Sequence, residues 1–115
     1  MREIKFRVYD SISKKMFEWY QIKTIALTEF SSIDREHYNL MQFTGLKDKN
    51  GIDIYEGDIL ENPENKTSVI IWTLNGYFAE SQNDDRITSI PLSLCFVENK
   101  KIIGNIYENP ELLNK

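Results

Sequence analysis

Between Leu40 and Leu60 the chain carries two glycine turns with only a short extended segment between them. This spacing reads as strands meeting at a sheet corner and not as an active-site loop. Asp48-Lys49-Asn50-Gly51 reads as the first turn, because Gly reaches positive φ without steric cost and Asp and Asn bond their own backbone. Glu56-Gly57-Asp58 reads as the second. Ile52, Ile54 and Tyr55 form the extended piece between them, and Asp58-Ile59-Leu60 leads into the next strand.

Upstream, Ile4-Lys5-Phe6-Arg7-Val8-Tyr9 alternates apolar and basic residues, the period of a strand with Ile4, Phe6 and Val8 turned inward. Met16-Phe17-Glu18-Trp19-Tyr20 predicts a second strand and hence an opening hairpin. A strand is favoured over 22–30, a loop or single turn around Ser31-Ser32-Ile33-Asp34-Arg35-Glu36, and a strand over Leu40 to Thr44. Downstream, Ser68 to Leu74, Asn75-Gly76 and Tyr77 to Glu80 predict a hairpin closed by a type I′ turn. Residues 81–86 read as a polar loop, Pro91 as a strand start or edge, and Leu92 to Val97 as a strand. In Lys101 to Tyr107, Gly104 marks a bulge or a close backbone approach. Asn109-Pro110-Glu111 opens a terminal helical turn, with Leu112 and Leu113 docking on the strands.

Three blocks of this chain, taken together and in order, resemble the YopX family of phage and prophage proteins. They are Gln42-Phe43-Thr44-Gly45-Leu46-Lys47-Asp48-Lys49-Asn50-Gly51, then Ile54-Tyr55-Glu56-Gly57-Asp58-Ile59, then Ile103-Gly104-Asn105-Ile106-Tyr107-Glu108-Asn109-Pro110-Glu111-Leu112-Leu113. The opening Ile4 to Asp10 fits as well. The resemblance implies a small phage-type protein with an SH3-like barrel portion, and it carries over no catalytic residue. The expected fold is mainly β: an N-terminal β-hairpin region over 1–47 packed on an SH3-like β-barrel over 48–115, closed by a short C-terminal helical turn. The two are expected to share one folding unit.

A length of 115 residues with 41% hydrophobic and 28% charged residues suits one globular domain with its own core. The lone Cys95, set between Leu94 and Phe96, reads as a buried thiol. The N-terminus has no apolar signal region and no run is long enough to span a bilayer, so a bacterial cytoplasmic location is expected. Residues 1 to 24 hold six cations against three acids, a local +3 within a net charge of -4. Such a split suits either a face that attracts a polyanion or basic and acidic halves that pair within the fold.

Few residues offer chemistry. Glu56 and Asp58 are a carboxylate pair flanking a glycine, which could bind metal or divide acid and base roles; turn formation is the competing reading. A calcium loop beginning at Asp48 fails, since Asp53 stands where glycine is needed and Ile59 where the last ligand belongs. His37 is the one histidine, which excludes histidine-rich zinc sites within a chain. A Cys95–His37 nucleophile and base is disfavoured by the apolar setting of Cys95. No phosphate-binding glycine loop is present, and Asn65-Lys66-Thr67 reads as a turn. No cofactor is expected.

A non-enzymatic interaction or assembly module follows, using strand edges for self-association or a protein partner. The alternative is a nucleic-acid-binding accessory factor. Its face would comprise Arg2, Lys5, Arg7, Lys14 and Lys15, with some of Trp19, Tyr20, Phe43, Tyr55, Trp72, Tyr77, Phe78 and Tyr107 stacking on bases. No membrane partner is expected.

Overall fold

The computed structural model describes residues 3–22, 37–83 and 86–114. Arg2 and the elements anticipated over 23–36 lie outside the described residues. The fold is mainly β, with two sheets. Strands β1 (Phe6–Asp10), β2 (Lys15–Phe17), β3 (Tyr38–Lys47) and β4 (Asp53–Tyr55) form the first, in the order β2-β1-β3-β4. Strands β5 (Asp58–Glu61), β6 (Thr67–Thr73), β7 (Gly76–Asn83), β8 (Arg86–Pro91) and β9 (Lys101–Asn105) form the second, in the order β8-β7-β6-β5-β9. Every strand pair among the described residues is antiparallel. The five-stranded order is compatible with an SH3-like barrel. The 47/48 boundary falls inside the first sheet, because β4 pairs with β3.

Two apolar clusters fill the interior. Ile54, Leu60, Ile70, Ala79 and Val97 form one beneath the five-stranded sheet, with Leu46, Tyr77, Leu92, Phe96 and Ile102 packed against it. Tyr9, Met41, Phe43 and Tyr55 form the other on the first sheet, with Met16 and Tyr107 beside them. Ile54 and Tyr55 are sequence neighbours on opposite faces of β4, so this strand contributes to both clusters.

The anticipated hairpins, both glycine turns and the terminal turn, a 3₁₀ helix at Pro110–Asn114, are present. Several details differ. The second strand stops at Phe17, and Trp19–Ile22 forms a short helix, α1, whose Trp19 ring lies 6.2 Å from Phe6. In β1 the apolar parity does not mark a single inner face. Arg7, Val8 and Tyr9 are all buried, whereas Ile4 is exposed, because Arg7 and Tyr9 face residues of the second sheet and its tail. The β6–β7 turn is Leu74-Asn75 with Gly76 following at φ +108; Asn75 does not have the positive φ that a type I′ turn requires. Residues 81–83 continue β7 instead of looping, so β7 and β8 make a second long hairpin. Leu94–Val97 is a helix, α2, not a strand: Ser93 caps it by accepting from the Phe96 N–H at 3.2 Å, and Cys95 is consequently exposed rather than buried. Leu113 is also exposed, leaving Leu112 as the half-buried residue of the final turn.

Gly57 combines a left-handed backbone with a crowded site. It sits at φ +88, and a Cβ there would lie 3.3 Å from the Met41 sulfur, whereas Gly51 at φ +79 faces open space. Gly51→Ala should therefore lose only the left-handed backbone cost, about 1–2 kcal/mol. Gly57→Ala should lose more by added crowding, and paired urea titrations of the two variants measure the difference.

Candidate functional site

The residues of the second motif block perform a crossing between sheets. Tyr55 pairs with Phe43 in the first sheet, and Asp58, three positions later, pairs with Asn105 in the second. The turn between them is held from several sides. Glu56 N–H donates to the Gln42 carbonyl at 3.0 Å, and its carboxylate accepts from Gln42 N–H at 2.8 Å. Gly57 N–H donates to the Ile70 carbonyl at 2.7 Å, and its own carbonyl accepts from Ile106 N–H at 2.9 Å.

Asp58 is fully buried. One carboxylate oxygen accepts from Tyr55 N–H at 2.8 Å; the other accepts from Arg7 Nη2 on β1. The Arg7 guanidinium also lies over the Tyr55 ring, 4.6 Å from its centroid. Burial pushes the Asp58 carboxyl above the usual carboxylate range, against the opposing pull of Arg7 and the Tyr55 N–H. Glu56 is likewise pushed up by burial, with the Gln42 N–H working the other way. The two carboxylates read from sequence as a pair serve different partners and do not converge on a common ligand position. Among the described residues no group of three or more His, Cys, Asp or Glu could hold a metal ion.

The first block supplies a second clip. Thr44 donates its hydroxyl to the Ile54 carbonyl at 2.7 Å and accepts from Leu46 N–H at 3.2 Å. These bonds span the irregular β3–β4 register where Gly45 sits at φ +91. Asp48, also buried, accepts from Asn50 and Ile52 N–H groups with one oxygen and from Ile102 N–H with the other, each at 2.9 Å. The Asp48–Gly51 turn is thereby fastened to β9. Lys47 and Lys5 both pair with Asp53. Against the cost of burial, these two ammonium groups hold the Asp53 carboxyl below its ordinary value.

The third block ends β9 and returns the tail. Asn105 accepts from Tyr107 and Glu108 N–H groups at 3.0 and 2.9 Å and donates its amide to the Glu108 carboxylate at 2.9 Å. Asn109 accepts from Asn105 N–H at 3.2 Å, and a Cβ on Gly104 would come within 2.5 Å of that same Asn109 oxygen. The sequence-read close approach at Gly104 is thus to Asn109, which precedes Pro110 of the final turn. Tyr107 stacks on Tyr9 with ring centroids 5.6 Å apart, which brings the tail against the first sheet.

The basic set divides. Arg7 points into the interior, Lys5 is largely covered by Asp53 and the Phe43 ring, and Lys14 and Lys15 remain exposed on the β1–β2 hairpin. Of the aromatic set only Tyr20 and Trp72 are exposed. No element was expected over 87–90, where the structure has β8; all six of its residues are exposed, at the edge of the second sheet among the described residues. Its β-branched run Ile87-Thr88-Ser89-Ile90 was the available signal.

The geometry defines a two-sheet β scaffold whose motif residues fasten one sheet to the other, with one strand, β8, exposed along its whole length. The chain belongs to the YopX protein family, whose profile it matches over residues 5–114. Its structure is similar to the crystal structure of protein EF1440 from Enterococcus faecalis, at 28% sequence identity and a TM-score of 0.56, covering 98% of this chain and 99% of that one. No curated protein matches the chain. Among the described residues no helix is long and apolar enough to cross a membrane.

Arg7→Met should cost about 3–5 kcal/mol at neutral pH, since it strands the buried Asp58 carboxylate. That loss should shrink toward pH 4 as Asp58 takes up a proton, and urea titrations at both pH values measure it. Glu56→Gln tests the neighbouring acid. Because folding raises the Glu56 pKa, the folded state binds this proton more tightly than the unfolded chain, and ionisation subtracts stability as pH rises through the folded value. Relative to wild type, Glu56→Gln should therefore gain stability as pH rises from about 4 to 7.

Proposed function

We propose that this chain is a non-enzymatic interaction or assembly module of phage or prophage origin, acting in the bacterial cytoplasm through strand addition at the β8 edge. The observation that carries the reading is β8 itself. Its six residues are all exposed, with Ile87 at 66% and Ile90 at 44% of full exposure, and among the described residues it has a strand neighbour, β7, on one side only. An edge of this length presents unpaired N–H and C=O groups to another chain, and isoleucine side chains add apolar area to the contact.

The motif residues support the reading from the other direction. Asp48, Glu56, Asp58 and Asn105 have their side chains engaged with backbone groups of the fold itself, which is the chemistry of a scaffold. The nucleic-acid alternative has less to work with, since Arg7 and Lys5 are committed to Asp58 and Asp53.

Light scattering across a tenfold range of concentration, with and without a short DNA duplex at low salt, tests the proposal. The expected result is a mass above the 13.6 kDa of one chain that ignores DNA and falls toward 13.6 kDa in Ile87→Lys. A single-chain mass at every concentration that rises on adding DNA, and falls back with salt, would assign the chain to nucleic-acid binding instead.

A further inference from the structure

The hydrogen-bonding parity of β8 identifies which of its groups are open. Leu92 N–H donates to the Tyr77 carbonyl at 3.0 Å, continuing the register in which Pro91 lies opposite Phe78. In an antiparallel ladder, hydrogen-bonded and non-hydrogen-bonded pairs alternate. Leu92 is hydrogen-bonded, so Ile90, Thr88 and Arg86 are bonded to Ala79, Ser81 and Asn83, while Pro91, Ser89 and Ile87 direct their backbone groups away from β7. Pro91 thus occupies a position where its missing N–H costs the sheet nothing. The open edge consists of the N–H and C=O of Ile87 and Ser89, followed by the carbonyl of Pro91.

We infer that the occupant of this edge is β8 of a second copy, paired antiparallel about a twofold axis through Thr88. The inference rests on the reading of the chain as an assembly module. A twofold perpendicular to the sheet keeps each face on its own side, so residues of equal parity must meet. Pairing about Thr88 sets Ile87 opposite Ser89 of the second copy and joins each such pair by two hydrogen bonds, four in all, which use every open N–H and C=O of Ile87 and Ser89. Pairing about Ser89 would set Ile87 opposite Pro91, which has no N–H to give the Ile87 carbonyl.

Charge agrees with this register. Between Arg86 and Pro91 the strand is uncharged, so nothing inside the contact repels. Arg86 of each copy falls opposite Ile90 of the other, where its aliphatic stem can cover the isoleucine while the guanidinium stays in water. No like charges face one another, which is the arrangement that cross-strand pairs require. The remaining edges are less suitable. β2 and β4 have three residues each, and β9 is backed by Asn109 at Gly104.

Single cysteines placed along β8 in a Cys95→Ser background, with mild oxidation, read the register. Facing residues at a non-hydrogen-bonded antiparallel site have Cα atoms about 4.5 Å apart, within disulfide reach. Thr88→Cys should yield a covalent dimer, and Ser89→Cys should not. Ser89→Pro should release monomers while keeping the wild-type circular dichroism, because that N–H does not serve β7. Cross-linking from position 89 in place of 88, or a Ser89→Pro protein that still associates, would overturn this pairing and leave the assembly reading intact. A mass of one chain at all concentrations would overturn both.

Discussion

The ion pair between Arg7 and Asp58 is the interaction on which the two-sheet arrangement depends. Arg7 belongs to the first strand of one sheet and Asp58 to the first strand of the other, and the carboxylate is entirely removed from water. A charge in that position is tolerable only with a partner and a full set of hydrogen bonds. Arg7 Nη2 and Tyr55 N–H each supply one bond, while Arg7 Nε stays buried with no hydrogen-bond partner among the described residues. The pair also imposes geometry that apolar packing would not: the crossing between Tyr55 and Asp58 must bring β5 to where the guanidinium can reach, with the Tyr55 ring beneath it.

The other motif residues follow from that crossing. A chain that leaves one sheet and enters another in three residues strands several backbone groups in the interior, and buried N–H and C=O groups must find partners. Gly57, Glu56 and Asp48 meet this need where no continuous ladder exists: Gly57 through its own N–H and C=O, Glu56 through its N–H and carboxylate, and Asp48 by accepting from three backbone donors. Asn105 and Asn109 do the same at the end of β9. Acidic and amide side chains beside glycines thus act here as substitutes for sheet hydrogen bonds.

Most of the strands and both glycine turns were legible because period-2 patterning and positive-φ residues are local signals. The three differences of element type, at Trp19-Tyr20, 81–83 and Leu94–Val97, had local causes too. Leu94-Cys95-Phe96-Val97 is as apolar as a strand, and only Ser93 as a cap distinguishes it as a helix. The role of Arg7 was not legible, since a basic residue in an alternating strand reads as solvent-facing. Its burial depends on Asp58, fifty-one residues away, and no pattern within β1 reports that. The motif residues were identified as a set, but their work of joining sheets appears only when Asp48 is seen bonded to Ile102 and Tyr107 stacked on Tyr9. The polar residues of 81–86 read as a loop, yet Ser81 has a strand partner in Thr88 and a hydroxyl contact to Ser68 at 2.7 Å.

The same division of labour explains why the surface of interest lies far from the motif. Residues that satisfy buried backbone groups at a crossing are tied to the fold, and their replacement would damage it before it altered any surface contact. The second sheet ends differently. Its last hairpin runs past Ala79, the last residue of β7 in the apolar cluster, so β8 stays in the sheet through its ladder to β7 rather than through burial. A strand held by hydrogen bonds on one edge and exposed on both faces gains most from a neighbour on its other edge. Arg86 and Pro91 at its two ends limit how far such a neighbour can extend, which favours a short paired contact over open-ended growth.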